Sequence, residues 1–102
     1  MSNEKLVRDL IPQIIQDDGV SPSVRKVSGD ELDYFIRQKI VEESVELLES
    51  GSEGEIADIL EAIDTLLMHR NLGHDRIESL RDEKKRLRGA FAEGYVLDMD
   101  SV

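Results

Sequence analysis

Acidic side chains recur at helical spacing between residues 39 and 64, in the stretch KIVEESVELLESGSEGEIADILEAID. Glu43 and Glu46 are three residues apart, and so are Glu55 and Asp58. Side chains with this spacing share one face of a helix, so each pair can close on a single ion. Apart from its first residue, the stretch contains no lysine or arginine that could neutralise them. The pattern therefore predicts a divalent-metal site.

The same four acids lie next to the apolar stripes of two predicted helices. With about 100° per residue, the apolar face of the second helix is centred near Ile63, with Glu55 at its edge and Asp58 one step further round. On the first helix, Glu43 and Glu46 border the apolar positions in the same way. The residues predicted to be buried on the second helix are Ile56, Ile59, Leu60, Ile63, Leu66 and Leu67.

The turn between the two helices, residues 51–54, is short and contains two glycines, which favours antiparallel neighbours. The two acidic pairs would then lie within about one helical turn of the same level. Carboxylates packed so closely repel one another, and a hard cation relieves the repulsion. Because the candidate ligands are all oxygens, the predicted ion is Mg²⁺, with Mn²⁺ as the substitute. The alternative is a solvated surface, since acids at this spacing also arise by chance in any acidic helix.

Four helices are predicted to position these groups. A short one ends near residue 16, and longer ones span about 31–49, 55–70 and 75–88, the last ending before Gly89. Few aromatic residues and only two prolines suit a helical bundle better than a β-sandwich. The predicted fold is all-α, a helical bundle built on an antiparallel helix hairpin in one domain over residues 1–102.

Composition narrows the function classes. The formal charge of −10 argues against a nucleic-acid binder, because phosphate backbones favour clustered positive charge. Without cysteines, disulfides and thiol chemistry are excluded. No continuous apolar run is long enough for a signal peptide or a membrane span, so a cytoplasmic protein without membrane partners is expected.

The helix predicted over residues 31–49 is apolar on two sides, and a single hairpin partner cannot cover both. Ile36, Ile40 and Leu47 form one stripe. The second stripe favours a homodimer over a further helix of the same chain. Its residues are Val41, Val45 and Leu48.

Basic residues near the N-terminus are isolated, whereas those of the last predicted helix are dense. Lone basic residues such as Lys5 and Arg8 are more often exposed without a role, and the alternative is that they reach an anionic ligand. The helix over 75–88 holds nearly half of the basic residues of the chain. It could balance the acidic hairpin by surface pairing, or supply the cations that hold a polyphosphate beside a metal.

Four blocks of the sequence resemble, in order, those of the small MazG-like all-α nucleotide pyrophosphohydrolases. That family is related to dimeric dUTPases and phosphoribosyl-ATP pyrophosphohydrolase. Its pattern of EExxE followed by ExxD on the next helix is matched between an N-terminal KLVRD block and a C-terminal RGxF block, and Ala90 departs from a frequent glycine. The blocks are KLVRDLIPQII at 5–15, KIVEESVEL at 39–47, EIADILEAID at 55–64 and KRLRGAFAEGYVL at 85–97.

The resemblance implies a role for each matching residue. The positions of the magnesium ligands of the family are taken by Glu43, Glu46, Glu55 and Asp58, and Glu42 takes the first glutamate of EExxE, where it would orient or deprotonate water. The basic positions that would contact the substrate phosphates are Lys39, Lys85, Arg88, Lys5 and Arg8.

The implied reaction is Mg²⁺-assisted hydrolysis of a nucleoside triphosphate between its α- and β-phosphates, giving a monophosphate and pyrophosphate. House-cleaning of non-canonical nucleotides by a homodimer or tetramer would suit this activity. Two alternatives stay open: an enzyme like phosphoribosyl-ATP pyrophosphohydrolase, and a non-catalytic helical dimer that binds a nucleotide or a protein. The scarcity of aromatic residues gives no pattern of a base-stacking pocket.

Overall fold

The computed structural model describes residues 3–102, and its regular structure is entirely helical. No strand occurs among these residues, so the all-α prediction is confirmed. A short 3₁₀ helix, Met99–Ser101, follows the α-helices. The α-helices are α1 (Ile11–Asp17), α2 (Gly29–Ser50), α3 (Glu53–His69) and α4 (His74–Arg88).

The chain divides after Asn71 into two compact units. The first unit contains α1, α2 and α3, and the second contains α4 and the C-terminal segment. That residues 1–102 form one domain stays a prediction. None of the described helices is both long enough and apolar enough to cross a membrane.

The connection between α2 and α3 consists of Gly51 and Ser52. Gly51 ends α2 with a left-handed backbone, φ 65°, which glycine adopts without strain. The side chain of Ser52 accepts a hydrogen bond from the backbone N–H of Gly54, 3.2 Å away. This cap starts α3 at Glu53, two residues before the predicted helix start. The turn is therefore tighter than the sequence indicated.

Contacts at both ends of α2 and α3 show that these helices pack antiparallel. At one end, the Arg70 guanidinium donates to both carboxylate oxygens of Asp33, at 2.7 and 2.9 Å. Nearby, His69 Nε2 lies 2.9 Å from the backbone carbonyl oxygen of Gly29. At the other end, Ser50 Oγ donates to Glu55 Oε2 at 3.4 Å. The register of the two helices is thus fixed at both ends of the pair: at the turn, and where the start of α2 meets the end of α3.

The core between these helices is small. Ile36 of α2 is fully buried, and Ala62 and Leu67 of α3 are each 7% exposed. Ile56 and Leu60 are 47% and 58% exposed, so the prediction that they are buried is wrong. One helix partner covers a strip centred near Ala62 and leaves the far edge of the apolar face uncovered.

The second apolar stripe of α2 is exposed, as its spacing indicated. Val41, Val45 and Leu48 are 63%, 49% and 86% exposed. α2 therefore presents one apolar face to α3 and another to solvent. Homodimerisation through this face stays a prediction.

The second unit is built on α4, which ends at Arg88 as predicted. Gly89 follows with φ 80° and donates its backbone N–H to the carbonyl of Lys85. Basic residues in the last turn suit the negative end of the helix dipole. Beyond Gly89, Phe91 and Tyr95 are almost fully exposed.

Candidate metal centre

Three carboxylates of α2 gather on one side of the helix. Glu42, Glu43 and Glu46 each offer an oxygen, and these oxygens lie within 4.8 Å of one another. The arrangement follows from the helix itself, because residues three and four apart are neighbours on its surface. We call these three side chains the acidic cluster.

Glu43 is the buried member of the acidic cluster, with 4% of its surface exposed. Its Oε1 lies 3.2 Å from Lys39 Nζ, while its Oε2 is buried with no hydrogen-bond partner. Burial raises the pKa of the Glu43 carboxyl, and the hydrogen bond and charge of Lys39 oppose that rise. The charges of Glu46 and Asp58 raise the pKa further. A carboxylate oxygen in this state lacks the positive partner that burial requires.

Asp58 of α3 lies within electrostatic range of the acidic cluster. The pKa of Asp58 is lowered, chiefly by a hydrogen bond from Arg8, and a hydrogen bond with the Glu43 carboxyl and the Lys39 charge also lower it. The packing of α2 against α3 thus places Asp58 near Glu43, while Glu43 and Glu46 are the two predicted ligands that belong to the acidic cluster. This is the cross-helix part of the predicted site.

Basic side chains from the N-terminal segment also reach these acids. Lys5 Nζ donates to Glu42 Oε1 at 3.1 Å, and Arg8 Nη2 donates to Asp58 Oδ1 at 2.6 Å. Lys39 Nζ lies 3.5 Å from Glu42 Oε2. Lys5 and Arg8 are exposed, as the first interpretation expected, and each forms an ion pair with an acid of the predicted site, whereas a role in binding an anionic ligand stays a prediction. Their partners are 37 and 50 residues away along the chain, so no local pattern indicated the pairing.

The other predicted site residues lie elsewhere. Glu55 stands at the turn, where its Oε2 accepts the Ser50 hydrogen bond, and it does not belong to the acidic cluster among the residues described. Glu42, assigned a catalytic role from the sequence, is grouped with the ligand candidates; its spacing of four from Glu46 is the signal that indicates this. Lys85 and Arg88 belong to the second unit, in the last turn of α4.

The acidic cluster and Asp58 fit a hard divalent cation. Every ligand candidate is a carboxylate oxygen, which is the donor type that Mg²⁺ prefers. The buried Glu43 Oε2 is the observation that separates this cluster from an ordinary acidic surface, because this atom has no hydrogen-bond partner while Oε1 pairs with Lys39. The lysines and the arginine offset part of the negative charge without reaching this oxygen.

Comparison of the chain with models of protein families, with curated proteins and with solved structures found no match.

Proposed function

We propose that this chain is a Mg²⁺-dependent nucleoside triphosphate pyrophosphohydrolase of the MazG-like kind. The observation that carries the proposal is the buried Glu43 carboxylate, whose Oε2 has no partner in the middle of an acidic cluster bordered by three basic side chains. Acids that can hold a metal and cations that can hold phosphate are the two requirements of phosphoryl chemistry. The order of the four sequence blocks supports the same reaction.

The residues that would hold Mg²⁺ are Glu43, Glu46 and Asp58, with Glu55 proposed from its place in the ExxD block. When bound, the ion would neutralise phosphate oxygens and acidify a coordinated water. Mn²⁺ would substitute because it accepts the same oxygen ligands.

The side chains of the protein would carry the remaining tasks. Glu42 would accept a proton from the attacking water, whose oxygen bonds to phosphorus while the α–β anhydride bond breaks. Pyrophosphate leaves with the electron pair of that bond. For Glu42 to act as a base, Lys5 and Lys39 must release its carboxylate and bind phosphate oxygens instead, which are also anionic. Arg8 would move from Asp58 to phosphate in the same way.

The exposed apolar faces of α2 and α3 support assembly into a homodimer. Val41, Val45 and Leu48 on α2, and Ile56 and Leu60 on α3, are all about half exposed or more. Apolar faces of this kind on neighbouring helices are typical of subunit interfaces.

A second candidate function, a non-catalytic helical dimer that binds a nucleotide or a protein, is favoured by the ion pairs. Lys5, Arg8 and Lys39 already offset much of the acidic charge without any metal. In that case the cluster would be a structural network, and Mg²⁺ would leave the melting temperature unchanged.

Pyrophosphate release from a panel of canonical and modified nucleoside triphosphates tests the proposal. The assay is run with Mg²⁺ and with a chelator, using Glu43→Gln as the inactive control and Glu49→Gln as the matched control. Glu49 is an exposed acid on the same helix, so its substitution removes one charge outside the cluster. Release that requires Mg²⁺, persists in Glu49→Gln and is lost in Glu43→Gln supports the hydrolase. No release from a folded, Mg²⁺-binding protein rejects the proposed hydrolysis.

A phosphoribosyl nucleotide of histidine biosynthesis is the alternative substrate. Growth complementation of a strain that lacks the phosphoribosyl-ATP pyrophosphohydrolase step distinguishes the two enzymes. Rescue together with an inactive triphosphate panel would favour that alternative.

A further inference from the structure

A groove of about 620 Å³ lies beside the candidate metal centre, within the first unit. The N-terminal segment, α1, the chain just before α2 and the first turns of α2 form its walls. Its lining is apolar at Ile15, Leu32 and Phe35 and basic at Lys5, Arg8 and Arg25. A cavity of this volume is in the range that binds small organic ligands, about 300–1,000 Å³.

Two basic side chains connect the groove to the acids of the candidate metal centre. Lys5 and Arg8 line the groove, and their charged ends reach Glu42 and Asp58. Phe35 and Glu42 are seven residues apart, two turns along the same face of α2, which separates them by about 10 Å along the axis. A ligand with an anionic end at Lys5 and Arg8 and an apolar end in the groove would therefore lie along α2.

The apolar end of the groove holds an aromatic ring with a planar cation over its face. The Arg25 guanidinium carbon lies 5.7 Å from the centroid of the Phe35 ring. Glu4 and Glu31 hold that guanidinium in place, at 2.8 and 3.1 Å. Aromatic rings and guanidinium planes are the two side-chain surfaces on which nucleobases stack. An aliphatic ligand would gain nothing specific from this pair.

We infer that the groove is the nucleoside subsite, in which Phe35 and Arg25 receive the base while Lys5 and Arg8 hold the phosphates. The inference rests on the proposed function and adds to it the location of the base. Phe35 is then a specificity-determining residue of a chain whose sequence gave no sign of a base-stacking pocket.

Nucleoside monophosphates are the probes that test the groove without any reaction. The full chain, labelled with ¹⁵N and kept in chelator, is titrated by NMR with AMP, GMP, CMP and UMP, and separately with ribose 5-phosphate, which lacks the base. We expect the amide signals of Leu32, Phe35 and Ile15 to move with at least one monophosphate, and to move much less with ribose 5-phosphate.

Two substitutions make the test specific. Phe35→Leu keeps an apolar side chain but removes the ring, and it should weaken binding of the preferred monophosphate about tenfold without changing binding of ribose 5-phosphate. Tyr95→Leu is the matched control, because Tyr95 is an aromatic residue that is 94% exposed and does not line the groove. It should leave both affinities unchanged.

Each outcome separates the groove from the hydrolysis. Binding of a monophosphate in the groove without pyrophosphate release from the triphosphate panel supports the subsite and rejects the hydrolase. Pyrophosphate release with the same KM in Phe35→Leu as in the wild type rejects the subsite and leaves the hydrolase standing. Signal changes outside the groove, equal affinity for ribose 5-phosphate, or no binding at millimolar concentration also overturn the subsite.

Discussion

Replacing the buried glutamate of the acidic cluster should both stabilise the metal-free protein and abolish its response to Mg²⁺. In Glu43→Gln, the amide has nearly the volume of the carboxylate but carries no charge. The buried Oε2, which has no partner, no longer belongs to an anion. Lys39 Nζ still lies 3.5 Å from Glu42 Oε2, so the substitution does not leave this half-buried cation without a carboxylate partner.

The size of the two effects can be estimated separately. The amide still places a polar atom at the buried position, so the gain comes from removing a charge that burial and the charges of Glu46 and Asp58 disfavour, and the lost ion pair with Lys39 offsets part of that gain. We therefore expect Glu43→Gln to be more stable by about 1 kcal/mol in chelator, which raises the melting temperature by about 4–8 °C for a chain of this length. A wild-type protein that binds Mg²⁺ at a hundred times the dissociation constant gains about 2.7 kcal/mol. That gain raises its melting temperature by about 10–20 °C.

The assay is thermal unfolding followed by circular dichroism, in chelator and across a series of Mg²⁺ concentrations. Glu49→Gln is the control, since it removes an exposed acid from the same helix and should keep the wild-type response to Mg²⁺. An unchanged wild-type melting temperature at every Mg²⁺ concentration would refute the metal site. A full Mg²⁺ response in Glu43→Gln would show that the ion binds elsewhere. Stabilisation in chelator alone does not decide between a metal site and a structural network, because both include the same repulsion.

The same substitution has a pH signature with a defined sign. Burial raises the pKa of Glu43, so in chelator the folded protein holds this proton more tightly than the unfolded chain. The favourable contribution is present at low pH and is lost as pH rises through the folded-state pKa. The stability advantage of Glu43→Gln over the wild type should therefore grow as pH rises from about 4 to 7. An advantage that shrinks over this range would contradict the buried carboxylate.

Three further predictions concern stability and assembly. The Arg70 hydrogen bonds lower the pKa of Asp33 to about 2, so Asp33→Asn should lose the most stability at neutral pH, and this loss should vanish as pH falls from about 4 to 2. Urea unfolding measures the loss, and a loss independent of pH would contradict the pairing. Ile36→Ala removes the fully buried side chain and should lower the free energy of unfolding by about 2–5 kcal/mol; a loss below about 1 kcal/mol would show that Ile36 is not central to the core. Leu48→Glu places a charge on the exposed stripe of α2 and should shift the dimer to monomer in light scattering, whereas Val20→Glu, also at an exposed apolar residue, should not; a monomeric wild type at micromolar concentration would reject the dimer.

Helical periodicity predicted the elements of this chain well, because amphipathic spacing and glycine stops are local signals. The C-terminal end of α4 before Gly89 and the uncovered stripe around Val45 both follow from residues within a few turns. The acidic cluster also follows from spacing on one helix. A helical wheel does not show how much of an apolar face the neighbouring helix covers. Leu60 lies on the predicted buried face but is exposed for this reason.

The partners of the acids are not encoded in any local pattern. The N-terminal segment must fold back for Lys5 and Arg8 to reach Glu42 and Asp58, and that path depends on tertiary packing. The same packing forms the groove around Phe35, whose aromatic ring alone gave no functional signal in the sequence. Long-range pairings of this kind are decided by the whole fold, so the spacing of residues in the sequence indicates the acidic cluster more readily than the residues around it.

The contacts at the two ends of α2 and α3 limit which insertions and deletions the chain can accept without displacing the acids of the candidate site. With two residues between the helices at one end and the Arg70 to Asp33 pair at the other, the helices cannot slide past each other by a turn. An insertion at Gly51 or Ser52 would shift Asp58 relative to Glu43, even though neither acid changes. Lineages that carry this site should therefore vary in length before Gly29 or after Asn71, and keep the number of residues between Glu43 and Asp58 constant.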